Sequence, residues 1–276
     1  MNAQSGPPGR ESDADVAYIL PRHPAEIDRL DVQHYALHEH LGVNFLAPVV
    51  RPARVLDVGS GTGQWAYDVG RQFPRSMVVG IDVASSKPGA PDNFRLVRAN
   101  VLRGLPIADG TFDFVHQRLM AISAIPLPSW PAVMADLVRV TAPGGWIELV
   151  EAFAAVEPSG PATRHMVDLT RQVGKTFGVD MDAVVVSVLG DHMRRAGLVN
   201  VDQRTASLPI GEWGGRVGSL TATNMRSFMT RMSGAFEERF GLSQPEFGEL
   251  MHAVRAECEE LHSQCTFVFA VGRRPA

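Results

Sequence analysis

Lysine is nearly missing from this chain of 276 residues: Lys87 and Lys175 are the only two, and arginine carries almost all of the positive charge. The net charge is -4, so there is no electrostatic footprint for a nucleic-acid backbone, and no nucleic-acid partner is expected. Cysteine is as scarce. Cys258 and Cys265 stand late in the chain without metal-ligand spacing and read as reduced thiols, not as a disulfide framework. No His, Asp and Glu cluster has metal-site spacing either, so no metal is expected. No apolar run is long enough to span a membrane, and the first residues hold no apolar leader; the expectation is a soluble, cytoplasmic protein. Internal repeats are absent. The length suits one substantial α/β domain with additions.

What the chain does have is concentrated in residues 54–63, RVLDVGSGTG, and residues 77–82, MVVGID. An apolar, β-branched run ends in Asp57 and then turns through Gly59, Gly61 and Gly63. A second apolar run ends in Asp82. Glycine lets the chain turn sharply and lets a ligand approach the backbone closely. A carboxylate at the end of the second strand suits the hydroxyls of a ribose. Dinucleotide sites place a third glycine three residues after the second, and that position here is Gln64. The loop therefore suits an adenosine-bearing cofactor without a pyrophosphate.

Around this loop the pattern alternates. Residues 1–14 are small, polar and breaker-rich, and read as a disordered tail. A helical arm follows over 15–47, closed by Pro48 and Pro52, and the remainder, 48–276, forms one domain. Strands are expected over 54–59, 77–82, 94–98, 112–117, 145–151 and 200–209, with a last antiparallel strand from Thr266 to Gly272. Helices are expected near 63–72, 87–91 and 129–141. Helical segments near 158–196 and 212–262, rich in Met and Phe, are expected to cover a pocket.

The D-x-G-x-G-x-G loop, the string RANVLRGLPIADGTFDFVHQRLM and the string LVRVTAPGGWIELVE together resemble class I S-adenosylmethionine-dependent methyltransferases from about Arg51 onward. The arm from Tyr18 to His34 is similar, more narrowly, to the LaeA-like and natural-product tailoring branch. That resemblance implies a Rossmann-like α/β fold: a seven-stranded, mostly parallel sheet with an antiparallel last strand. It implies S-adenosylmethionine as cofactor and a small, hydrophobic or aromatic metabolite of secondary metabolism as substrate. It also leaves room for a non-catalytic regulator that keeps the cofactor fold; an oxidoreductase using a nicotinamide dinucleotide is disfavoured by Gln64.

The resemblance distributes roles. Asp57, Gly59, Ser60, Gly61 and Gly63 would pass beneath the cofactor, Asp82 with Val83 would hold its ribose, and Asn100 with Val101 would flank the adenine. Gln117 and Arg118 would meet the methionine end. Each admits a plainer reading: Asp82 as a cap, Asn100 as a turn residue, Arg118 as a surface arginine. His165, in the helical insertion after the fifth strand, is the candidate base, and Glu151 is a second one. Tyr18 is a candidate wall of the active site, and Gln33 and His34 could lid the cofactor. Because the arm precedes a Pro-bounded hinge, exchange between protomers, hence a homo-oligomer, is open.

Overall fold

The computed structural model describes residues 24–276. Tyr18, the expected tail 1–14 and residues 15–23 of the arm lie outside the described residues. Seven strands form one sheet: β1 (Arg54–Val58), β2 (Met77–Asp82), β3 (Phe94–Arg98), β4 (Phe112–Arg118), β5 (Thr141–Glu157), β6 (Val199–Pro209) and β7 (Gln264–Arg273). Their order is β3-β2-β1-β4-β5-β7-β6. The first five run parallel, and β7 is antiparallel to both β5 and β6. The chain moves outward from β1 to β3 and then returns to β4 on the other side. A crevice opens at such a reversal, at the carboxyl ends of β1 and β4.

Strand alternation divides the core. Even positions of β4 and β5, such as Phe114 and Trp146, meet α2 (Gln64–Gln72) through Trp65 and Val69. Odd positions, such as Val115, Ile147 and Leu149, meet α3 (Trp130–Val140) and α5 (Leu189–Arg195). A separate core of Met166, Leu169, Val173, Met232, Phe236 and Val254 joins α4 (Pro161–Phe177), α6 (Gly215–Phe240) and α7 (Gln244–Glu260). That layer rests on an extension of the sheet, where Val156 of β5 pairs with Cys265 of β7. Helix α1 (Pro24–Leu41) lies against α6, and its Leu37 packs beside Val150 and Phe267.

Three expectations are corrected. The helix near 87–91 does not form: Pro88 and Pro91 supply no N–H, and Gly89 adopts a φ of 89°. The chain there is instead pinned by the Lys87 N–H, which donates to Thr62 O at 2.9 Å. The arm helix stops at Leu41, where Gly42 takes a φ of 69°, and does not reach residue 47. The segment 158–196 is not all cover, because its last helix, α5, inserts Leu189 and Met193 into the sheet core.

Candidate functional site

A cavity of about 550 Å³ occupies the crevice and continues beneath α4 and α6. At one end is the glycine loop. Gly59 and Gly61 hold φ values of 71° and 55°, where a Cβ would be strained, and at Gly61 a Cβ would also stand 3.3 Å from Leu30 of α1. The N–H groups of Gly59 and Ser60 both donate to Ile81 O, at 2.8 and 3.0 Å, which ties the loop to the end of β2. Asp82 Oδ2 accepts from Gly61 N–H at 2.9 Å and Oδ1 accepts from Ala84 N–H at 2.8 Å. Asp82 thus caps its own turn and lines the cavity at once.

Charged groups lie below and above the loop. His116, on β4, shares a 2.8 Å hydrogen bond between Nδ1 and Asp57 Oδ1, and its ring stacks on Trp65 with centroids 3.7 Å apart. Burial pushes the His116 imidazole below its ordinary range while the bond to Asp57 opposes it. The neutral ring therefore donates Nδ1–H to Asp57. His34 of α1 follows the same logic. Burial lowers it, its Nε2–H donates to Asp68 Oδ2 at 2.9 Å, and its Nδ1 faces Arg118 Nη1 at 3.4 Å. Burial would raise Asp68, but hydrogen bonds from His34 and Gln64 hold its carboxyl down at about 2. Burial also pushes the Arg118 guanidinium down, with Asp57 and then Glu148 opposing.

Helix α1 is fastened to the loop by Asp31, which accepts from Thr62 Oγ1 at 2.8 Å and pairs with the Lys87 ammonium. Its Arg29 donates to Asn224 Oδ1 of α6 at 2.9 Å and lies over the Phe228 ring at 5.8 Å.

A family model described as a methyltransferase domain matches residues 55–145. The N-methyltransferase tcpN of Claviceps purpurea is 30% identical over 274 residues, covering 92% of this chain and 95% of that protein. The chain belongs to the class I S-adenosylmethionine-dependent methyltransferases. Methyltransferase str3 of Strobilurus tenacellus is 35% identical over 153 residues, and the match spans about half of it, 53%. Phosphoethanolamine N-methyltransferase 2 of Haemonchus contortus, solved with S-adenosyl-L-methionine, superposes with a TM-score of 0.53 at 14% identity, over 94% of this chain and 54% of that one. At that identity the likeness is one of fold.

S-adenosylmethionine is the cofactor of this methyltransferase, and the cavity fits it. Bare backbone at Gly59 and Gly61, the Asp82 carboxylate, and Asn100 with Val101 all line its loop end. Ser60, Val83, Asp57 and Arg118 line it too. Asn100 Oδ1 already accepts from Leu102 N–H at 2.9 Å, so the oxygen's second lone pair is the one that faces a ligand's demand. Gly63, with a φ of 86°, turns the chain into α2 without lining the cavity, and a Cβ there would meet the Tyr67 ring at 2.8 Å.

Besides Gly63, three expected site residues do not line the cavity of this methyltransferase: Gln117, His165 and Glu151. Gln117 does not line the cavity: strand alternation turns it to the α3 side, fully buried, while His116 and Arg118 face the crevice. His165 is exposed on the outer face of α4, whose inner face presents Val167 and Thr170 to the cavity instead. Glu151 is also away from the cavity, accepting from Met120 and Ala121 N–H at 3.1 and 3.0 Å. Gln33 and His34 do line it. The residues that sequence reasoning missed are His116, Trp65, Arg29 and Asn224. His116 was within reach, since it sits one position before Gln117 on the parity that Asp57 shares through the β1–β4 register. Asn224 carried no local signal.

Among the described residues, no group of three or more His, Cys, Asp or Glu could hold a metal ion. No helix among them is long and apolar enough to cross a membrane.

Proposed function

We propose that this methyltransferase acts on a small, largely apolar or aromatic metabolite, of the kind that natural-product tailoring enzymes modify. The observation that carries this reading is the far lobe of the cavity, walled by Ile122, Phe153, Met181, Met225, Phe228 and Met229. Such a lobe favours an apolar skeleton by removing its surface from water, at roughly 25 cal/mol per Å², and methionine walls adapt to its outline. The relative tcpN is named an N-methyltransferase, which fits an acceptor nitrogen.

Bound S-adenosylmethionine supplies a methyl group on a sulfonium, whose sulfur takes back the bonding electron pair as the acceptor's lone pair bonds to carbon. The chain's own contribution is alignment. Asp82 and the glycine loop fix one end of the cavity, and the apolar walls fix the acceptor; holding reactants at near-attack distance is itself a large rate effect. The carboxylates and imidazoles lining the cavity, among the described residues, are Asp57, Asp82, His34 and His116, and each is already hydrogen-bonded within the protein. The acceptor lobe holds none of them. We therefore read the acceptor as one whose lone pair is available without a protein base.

The test is release of S-adenosylhomocysteine over a panel of aromatic amines, phenols and small polar acceptors, for the native chain and Phe228→Glu. Turnover confined to apolar acceptors, lost in Phe228→Glu with cofactor affinity kept, is the expected result. Turnover of small polar acceptors alone, indifferent to Phe228, refutes the reading.

A further inference from the structure

The polar atoms of the acceptor lobe can offer a ligand only what the bonds they already make leave over. Thr170 of α4 gives its hydroxyl hydrogen to Met166 O at 2.8 Å, and Thr221 of α6 gives its own to Val217 O at 2.8 Å. Ser123 does the same to Leu119 O at 2.6 Å. A carbonyl oxygen can only accept, so in each pair the hydroxyl is the donor. All three residues line the cavity, and toward it they keep lone pairs alone.

Asn224, at the seam where α1 meets α6, is the opposite case. It stands one turn before Phe228 on α6 and lines the cavity, and its Oδ1 accepts from Arg29 Nη1 at 2.9 Å. A guanidinium has N–H groups and no lone pair to accept with. That bond therefore fixes which way the Asn224 amide points, with its oxygen committed to Arg29. The Nδ2 donor has no hydrogen-bond partner among the described residues. Arg29 is 5% exposed and lies over the Phe228 ring at 5.8 Å, so the residue that orients the amide is itself held. An apolar body that fills the lobe removes the water that serves the Asn224 N–H, and a donor left unmatched costs free energy. An oxygen on the ligand at that point restores the bond.

We propose that Asn224 determines specificity by donating to a carbonyl oxygen of the acceptor. The molecule that is methylated has an aromatic or aliphatic body that fills the lobe. Remote from the methylated atom, it carries a neutral carbonyl that receives the Asn224 Nδ2–H. A carbonyl suits this position because it accepts and has no hydrogen that needs a partner of its own. This deepens the reading of an apolar acceptor and rests on it.

The experiment titrates the protein, saturated with S-adenosylhomocysteine, with aromatic ketones and the alkenes of the same shape. The pairs are acetophenone and α-methylstyrene, 2-acetylnaphthalene and 2-isopropenylnaphthalene, and 1-indanone and 1-methyleneindane. The quantity read is the ratio of ketone to alkene affinity within each pair. Asn224→Asp keeps an oxygen for Arg29 and puts a second oxygen where the donor stood; Asn224→Leu removes both. In at least one pair the ratio falls at least about fivefold in each variant, with S-adenosylhomocysteine affinity unchanged. Should one variant not fold, the other carries the same expectation. A ratio that neither variant changes overturns the carbonyl site alone. A fall confined to one of two folded variants overturns it too, since the donor is lost in both. Loss of S-adenosylhomocysteine affinity in both variants also overturns it, and would assign Asn224 to the cofactor. Absence of binding by every ketone and alkene overturns the apolar-acceptor reading along with it.

Discussion

Replacing Glu148 by glutamine should stabilise the protein, and by more as the pH rises. Glu148 is 1% exposed on β5, and one oxygen, Oε2, accepts both the Leu46 and Ala47 N–H groups, at 2.7 and 2.6 Å. Burial pushes its carboxyl up from the usual 4.5 to about 7, although the two N–H donors and Arg118 pull the other way. A rise of that size makes the ionised form less favourable in the folded chain by about 3 kcal/mol. The folded state holds its proton to higher pH than the unfolded state does. Stability is therefore lost as the pH climbs from 4.5 to about 7, and the loss is complete and constant above that. Glutamine keeps a carbonyl oxygen that can accept both N–H groups, and it does not titrate. Urea unfolding of both proteins should give similar stabilities near pH 4.5 and a variant more stable by about 3 kcal/mol near pH 8. Other titrating groups are common to both proteins and drop out of the difference. A difference that does not change with pH, or a variant less stable near pH 8, would refute the reasoning.

Glu151 offers the contrast. Its two oxygens each accept a different N–H, Met120 at Oε1 and Ala121 at Oε2, so Glu151→Gln turns an NH₂ toward one buried donor. Burial pushes this carboxyl up to about 8 as well, so the cost of the lost acceptor is read near pH 4.5, where the folded-state ionisation cost is absent: the variant should lose about 1–3 kcal/mol there in the same urea assay; unchanged stability would mean that the segment after β4 does not depend on this cap. Asp31→Ala should weaken S-adenosylhomocysteine binding by about tenfold in calorimetry while moving the thermal midpoint little, because it unfastens α1 from Thr62 and Lys87 without opening the sheet. Equal affinities would show that the glycine loop holds its shape without the helix.

The sheet was legible because each strand carries its own signal, an apolar run bounded by breakers, and so was the loop, because Gly59 and Gly61 are needed for their φ values. Position along a strand was legible too, but the face a residue takes depends on its parity. Gln117 was assigned to the cofactor from its place at the end of β4, yet side-chain direction alternates, and the Asp57–His116 pair one residue earlier shows which parity faces the crevice. His165 failed for the analogous reason on a helix. Met166, Leu169 and Val173 define the inner stripe of α4, and His165 lies off it. Arg29 and Asn224 are 195 residues apart, and nothing local announces their meeting; it depends on α1 and α6 packing together.

That packing gives α1 an unusual share of the chemistry for a segment outside the sheet. Leu30 approaches Gly61, Asp31 holds Thr62 and Lys87, and His34 bridges Asp68 and Arg118, all within two turns. The preceding residue, Arg29, reaches α6. Because residues three and four apart share a helix face, the helix cannot shift along its axis to suit one contact without disturbing the others. Misplacing α1 would therefore move the loop that receives the cofactor and the seam that borders the acceptor lobe together. Alignment between two reactants is what methyl transfer asks of a protein, and a single rigid helix touching both ends of the cavity is a direct way to keep their separation fixed.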